Sequence, residues 1–252
     1  MGPRTLPGVS AEVAPGIHRL GNELINFYLV EGDNGLTLVD GGLPGFRGQL
    51  ESVLRERGRS LSDLDAVVLT HAHADHVGVA EAGRAAGAPV YVHEADAEMA
   101  RTAKTPKRER AFVPYLRHPA TWKLMAVAIR AGGLKPTKIA EVSTFRGDAV
   151  LEVPGRPQAI HTPGHSDGHV VFHFPDRGAL LVGDALCTYN PLTGRRGPQL
   201  MPGGFSVSSA QAMESLGRIE GLEAPALLPG HGEPWTDGVA AAVARAREEG
   251  PS

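Results

Sequence analysis

Three imidazoles and one carboxylate stand within six residues in Thr70-His71-Ala72-His73-Ala74-Asp75-His76, directly after the apolar run Ala66-Val67-Val68-Leu69. No other stretch restricts the fold as much. Residues 65–70 have the β-branched and apolar character of a short buried strand. If the backbone stays extended past Thr70, the two-residue period turns His71, His73 and Asp75 to one side, where a cation could sit. An apolar helical pattern follows from about His76 to Ala86, with Asp75 at its N-cap and His76 facing the same pocket from the first turn. Neutral imidazoles and a carboxylate suit zinc, with iron or manganese as the alternatives. Four donors so close together exceed what one tetrahedral ion takes comfortably, so two neighbouring metals are expected.

The chain has 252 residues, enough for one sizeable α/β domain with a real core. With 42% hydrophobic and 21% charged residues it reads as globular, and a net charge of −3 gives no whole-chain sign of nucleic-acid binding. Cys187 is the only cysteine, which excludes an intrachain disulfide. Residues 1–15 lack the apolar core of a signal peptide, and no run is long enough to span a membrane. A cytoplasmic protein is expected.

Strands are expected at 16–20, 24–31 and 36–40, the last two joined by the Gly32-Asp33-Asn34-Gly35 turn. A helix over 46–57, the strand at 65–70, the helix to about 86 and a strand at 89–92 follow, an alternation that argues for a sheet covered by helices. Asp40 closes an apolar strand before Gly41-Gly42, and is either a turn residue or an acceptor that orients a metal-bound histidine. The second half offers strands at 149–153, 158–161, 169–174 and 179–182, and helices at 208–219 and 239–249. Three times an apolar strand there ends in glycine plus a metal-capable side chain: Pro163-Gly164-His165, Gly183-Asp184 and Gly230-His231. Strand ends along one sheet edge are where open α/β folds assemble their sites.

A short helix is expected over 94–100. Residues 101–138 then carry ten Lys and Arg against one acid, Glu109, around the apolar set Trp122, Leu124, Met125, Val127, Ala128 and Ile129. The plain reading is a solvated basic face over a packed helix. The functional one is a helical lid over an active site that takes an apolar or anionic substrate. Contact with a membrane surface or nucleic acid is a third.

Taken in order, Asp40, His71-x-His73-x-Asp75-His76, His165, Asp184 and His231 resemble the metallo-β-lactamase superfamily, in its glyoxalase II and lactonase-like branch. The resemblance runs from about residue 16 to 235. It implies a four-layer αββα sandwich, a single domain over residues 1–252 with the lid as an insertion, and metals at the edge where two halves meet. It assigns His71, His73 and His165 to one ion, Asp75, His76 and His231 to the other, and Asp184 to bridge them. His165 is taken over His161 and His169 because the family ligand follows a Thr-Pro-Gly turn; spacing alone does not rank the three. His169 is then either a support for a ligand or a buried strand histidine, and Tyr189 lies close enough in sequence to reach the site.

The implied activity is hydrolysis of a small ester, thioester or lactone by a metal-bridging hydroxide, with Asp75 orienting the nucleophile and a small molecule as the partner. A mononuclear iron persulfide dioxygenase is the alternative, followed by a β-lactamase and a nuclease. No nucleic-acid partner is expected. The sequence leaves the oligomeric state open, a homodimer included.

Overall fold

The computed structural model describes residues 10–33 and 35–252. A seven-stranded sheet begins with β1 (Ala11–Ala14), β2 (Ile17–Gly21), β3 (Asn26–Gly32) and β4 (Gly35–Val39), an antiparallel meander. It continues with β5 (Leu64–Val68), β6 (Val90–His93) and β7 (Ser143–Phe145), each parallel to its predecessor, with order β1-β2-β3-β4-β5-β6-β7. Helices α1 (Arg47–Glu56), α2 (Ala80–Ala85), α3 (Ala97–Thr102) and α4 (Pro119–Arg130) occupy the crossovers. The second sheet holds β8 (Ala149–Val150), β9 (Gln158–His161), β10 (Val170–Phe174), β11 (Ala179–Gly183) and β14 (Ala226–Pro229), in the order β14-β11-β10-β9-β8. A separate hairpin, β12 (Cys187–Tyr189) with β13 (Arg196–Gln199), and helices α5 (Ser209–Ser215) and α6 (Val239–Glu249) complete the chain.

The two-residue period of the strands sorts the core into layers. Tyr28, Val30, Val39, Ala66 and Val68 of the first sheet meet Phe172, Phe174, Leu181 and Leu228 of the second in one buried cluster. The alternate residues Phe27, Leu29, Leu38 and Val67 pack outward with Leu50, Val53 and Leu54 of α1. Val171, Leu180, Val182 and Leu227 do the same with Ala212 of α5 and Val239, Ala242 and Val243 of α6. This is the expected αββα sandwich. Both faces of each sheet are covered, so strands such as β10 and β11 are buried along their whole length and almost wholly apolar, without alternation.

Several local expectations are corrected. Residues 76–79 are a turn, and α2 starts only at Ala80, capped by Val79 rather than Asp75. The cause is tertiary: the Gly78 and Val79 amides donate to the Gly42 and Gly41 carbonyls, and the Gly41 amide to the His76 carbonyl. These bonds replace the first helical turn. Strands β1, β7, β12 and β13 go beyond the sequence expectation, being only three or four residues long and each interrupted by a polar residue or proline. β8 covers only 149–150, and the last turn of the helix after α5 tightens into a 3-10 segment, Leu216–Arg218. Asn34 of the expected turn, and residues 1–9 of the expected leaderless start, lie outside the described residues, although Gly32 and Gly35 pair across it.

Candidate metal centre

β4, β5 and β6 run parallel, so Asp40, His71 and His93 emerge at one end of the first sheet. In the second sheet β9 and β11 are each antiparallel to β10, while β14 is parallel to β11. The C-terminal ends of β9, β11 and β14 therefore share one edge, which presents His165, Asp184 and His231. The two edges meet: the Val170 amide donates to the Thr70 carbonyl, and the Asn26 amide to the Gly230 carbonyl.

All seven expected side chains are brought together. Donor atoms of His71, His73 and His165, of His71, His76 and Asp184, and of Asp75, His76 and His231 each lie within 4.8 Å of one another. His165 Nε2 is 2.8 Å from His73 Nδ1 and 3.2 Å from His71 Nε2. Asp184 Oδ2 sits between the groups, 3.3 Å from His165 Nε2 and 3.2 Å from His231 Nε2. Asp75 Oδ2 is 3.5 Å from His231 Nε2, with its side chain 29% exposed.

A backbone carbonyl, a carboxylate and two hydroxyls set which nitrogen of four of the rings faces the centre. His231 Nδ1 donates to the Leu24 carbonyl, and His76 Nδ1 to Asp40 Oδ2. Thr70 Oγ1 donates to Asp40 Oδ2 and so accepts from His71 Nδ1. Ser206 Oγ donates to the Met201 carbonyl and accepts from His165 Nδ1. In all four rings it is Nε2 that is left facing inward. His76 Nε2, His231 Nε2 and Asp184 Oδ1 are buried without a hydrogen-bond partner, a state expensive for any protein unless a cation completes it.

Charge follows the same plan. Burial holds the His71, His73 and His165 rings below the usual histidine range, with neighbouring imidazoles adding to the effect on His71. Burial opposes charge on His76 and His231 too, but the Asp184 carboxylate, with Asp40 or Asp75, outweighs it and holds both rings above that range. Burial works against the Asp184 charge, yet His231, His76 and His165 keep its carboxyl well below the usual range.

The structure separates the histidines that spacing could not rank. His169 Nε2 accepts the Asp184 amide and its Nδ1 bonds Thr162 Oγ1, so both nitrogens are occupied; burial pushes this ring down to about 3. It holds Asp184 in place. His161 bonds the Asp167 carbonyl and stacks on His93. Asp40 proves to be the acceptor: its carboxylate takes the Thr70 amide, the Thr70 hydroxyl and His76 Nδ1, at a positive φ of 61°.

Asp96, Arg19 and Asn26 were not anticipated. Buried Asp96 accepts the Ala72 amide, the Ser166 hydroxyl and the Gly168 amide, tying the loop after β5 to the loop after β9. Arg19 grips Glu233 with both guanidinium ends and Asn26 Oδ1, and Asn26 Nδ2 donates to the Pro229 and Gly232 carbonyls on either side of His231. The sequence offers a signal only for Arg19 and Asn26, polar side chains in the largely apolar strands β2 and β3; Asp96, between Glu94 and Glu98, offers none.

A cavity of about 90 Å³ opens on the cluster, lined by His73, Asp75, His165 and Asp184 with Thr105, Arg108, Met201 and Phe205. The Arg108 guanidinium lies 5.2 Å above the Phe205 ring. Tyr189 faces a neighbouring cavity with Lys123 and Arg196 instead.

The sequence pattern of the metallo-β-lactamase superfamily matches residues 20–231. The chain belongs to the metallo-β-lactamase superfamily. Over 249 residues it is 28% identical to the probable metallo-hydrolase YflN of Bacillus subtilis (strain 168), covering 91% of this chain and 88% of that one. It is 31% identical over 140 residues to a hydroxyacylglutathione hydrolase of Cereibacter sphaeroides, 55% of this chain and 39% of that enzyme. The protein TTHA1623, solved in a di-iron-bound form, matches with a TM-score of 0.60 at 26% identity, over 96% of this chain and 98% of that one. Superfamily membership and the donor clusters together imply divalent metal. Among the described residues no helix is long and apolar enough to cross a membrane.

Proposed function

We propose that this metallo-β-lactamase superfamily member is a dinuclear hydrolase of a small ester, thioester or lactone. His71, His73 and His165 would hold one ion, Asp75, His76 and His231 the other, and Asp184 both, with zinc as the first choice and iron as the alternative that the di-iron relative keeps open. The observation that carries this reading is the set of four imidazoles oriented with Nε2 inward around Asp184, with Asp184 Oδ1, His76 Nε2 and His231 Nε2 buried and unpartnered. Bound there, two divalent cations supply water acidic enough to deprotonate near neutral pH and positive charge for the oxygen of an attacked carbonyl.

The chain's own residues divide the remaining work. Asp75, half-buried and facing the cavity, orients the attacking water and accepts its proton at the carboxylate. Asp40 and the Leu24 carbonyl hold His76 and His231 in the required tautomer. Residues 101–138 form the lid of a single domain: Thr105 and Arg108 reach the cavity, where Arg108, with no acid partner among the described residues, offers its donors to an anionic group on the substrate. A thioester finds support in the named activity of the Cereibacter sphaeroides relative. A one-iron dioxygenase would use three donors and leave four without a role.

Metal quantitation beside a panel of thioesters, lactones and aryl esters tests this. Two metal equivalents and hydrolysis of one panel class are expected, with His73→Ala losing metal and activity together. Hydrolysis undiminished in chelator-treated, metal-free protein would refute the proposal. One iron per chain with oxygen uptake on a persulfide would replace it with the dioxygenase.

A further inference from the structure

Large apolar side chains left in solvent are concentrated in one place. Five are more than half exposed among the described residues, and Val113, Trp122, Ile129 and Leu134 all belong to the segment 113–134; the fifth, Val150, lies elsewhere. On α4, Thr121 and Leu124 face the core, and the helical period sets Trp122, Ile129 and the small Ala126 on the opposite side, with Met125 half-buried at its margin. The outward side of a surface helix is ordinarily polar. Here an apolar stripe of Trp122 and Ile129 runs along one side of it with Lys123 and Arg130 along the other, and Trp122 has spent its indole N–H on the Leu116 carbonyl, 2.8 Å away, leaving its ring more than half exposed.

Cations flank this stripe. Lys123 and Arg130 lie beside it on the helix, and Lys135 and Lys138 follow just past its end. Lys123 pairs with Glu23, whereas Arg130, Lys135 and Lys138 have no acid partner among the described residues. The stretch 101–138 carries ten cations and one acid in a chain with a net charge of −3. Two copies packed symmetrically through this face would bring cations against cations, which disfavours a second copy as its cover. A nucleic acid would match the charge but has little use for exposed Ile129, Val113 and Leu134. An apolar stripe with Trp at its centre and free Lys and Arg beside it is the pattern that lies on an anionic bilayer surface, rings among the headgroups and cations on the phosphates.

We propose that the outward face of α4 docks this protein peripherally on an anionic lipid surface. The proposal is independent of the hydrolase reading, because neither Trp122 nor Ile129 lines the metal-site cavity.

Cosedimentation of the full chain with phosphatidylcholine vesicles, with and without phosphatidylglycerol, tests it, with sedimentation velocity on the lipid-free protein. Binding only to vesicles containing phosphatidylglycerol, weakened by salt, is expected. Trp122→Ser with Ile129→Ser should lower it tenfold or more, and Arg130→Gln and Lys135→Gln roughly fivefold each. All four positions are exposed, so metal content and circular dichroism should stay at wild-type values. Wild-type protein left in the supernatant with both vesicles would overturn the proposal. So would binding that ignores the Trp122 and Ile129 replacements, which would mark a mere polyanion patch, or a lipid-free dimer that those replacements dissociate, which would assign the face to a second copy.

Discussion

At the scale of single residues, Asp40 concentrates the most consequence. Its carboxylate satisfies three buried donors, and one of them, His76 Nδ1, turns Nε2 of that ring toward the centre. Asp40→Ala strands all three and puts a Cβ-branch-free but non-glycine residue at φ 61°, so a loss of about 3–5 kcal/mol in denaturant unfolding is expected. Asp40→Asn tolerates that backbone and keeps one acceptor, so it should fold better. Because its amide cannot take every proton the carboxylate took, metal affinity should still fall about 10–100-fold by competition with a chromophoric chelator. A stability loss with unchanged metal affinity in both variants would reduce Asp40 to a turn residue.

Among the elements, the strand ends and the loops they release matter most. Asp96 opens α3, far from any donor in sequence, yet it ties the loop bearing His71 and His73 to the loop bearing His165. Asp96→Ala should cost about 2–4 kcal/mol by leaving buried donors unpaired. It should also weaken metal binding through the His71, His73 and His165 group first, visible as one lost equivalent in metal analysis. Gly230 shows the same dependence on close approach: a Cβ there would press on Asp184 Oδ1 and lie 2.7 Å from His76 Cε1. Gly230→Ala should fold, with a penalty of about 1–3 kcal/mol, and lose the second metal equivalent. Full metal content in that variant would show that the β14 end is looser than its packing implies.

For the whole molecule, the centre makes stability depend on pH in a predictable direction. His71, His73, His165 and His169 are held neutral by burial, so below about pH 6.5 the unfolded chain binds protons that the folded chain refuses, and stability falls with falling pH. His76 and His231 are shifted the other way despite burial, by their carboxylate neighbours. Their contribution is complete below pH 6.5 and is lost as pH rises through their raised values. Metal-free protein should therefore be most stable near pH 6.5, read as the denaturant midpoint from pH 5 to 8.5. With the proposed ligand assignment, metal loading displaces the protons on His76 and His231, so calorimetry in buffers of different ionisation enthalpy should register proton release, and added metal should stabilise more at pH 8 than at pH 6.

Much of this was readable in the chain because it is local or periodic. The His71 to His76 spacing, the glycine-terminated strands before His165, Asp184 and His231, and the apolar strands all lie within short stretches of sequence; they point to a helix-covered sheet with a metal-capable edge, and it is the superfamily resemblance of that ordered set that adds the αββα sandwich and the seven-residue assignment. Tertiary structure alone decided how those donors are held. The choice among His161, His165 and His169 rests on where both nitrogens of each ring find partners. The turn at 76–79 rests on carbonyls of Gly41 and Gly42, and the supports Asp96, Arg19 and Asn26 act on loops 24 to more than 200 residues away. Hydrogen bonds across such separations exist only after two sheets have closed on one edge, and no local spacing encodes them.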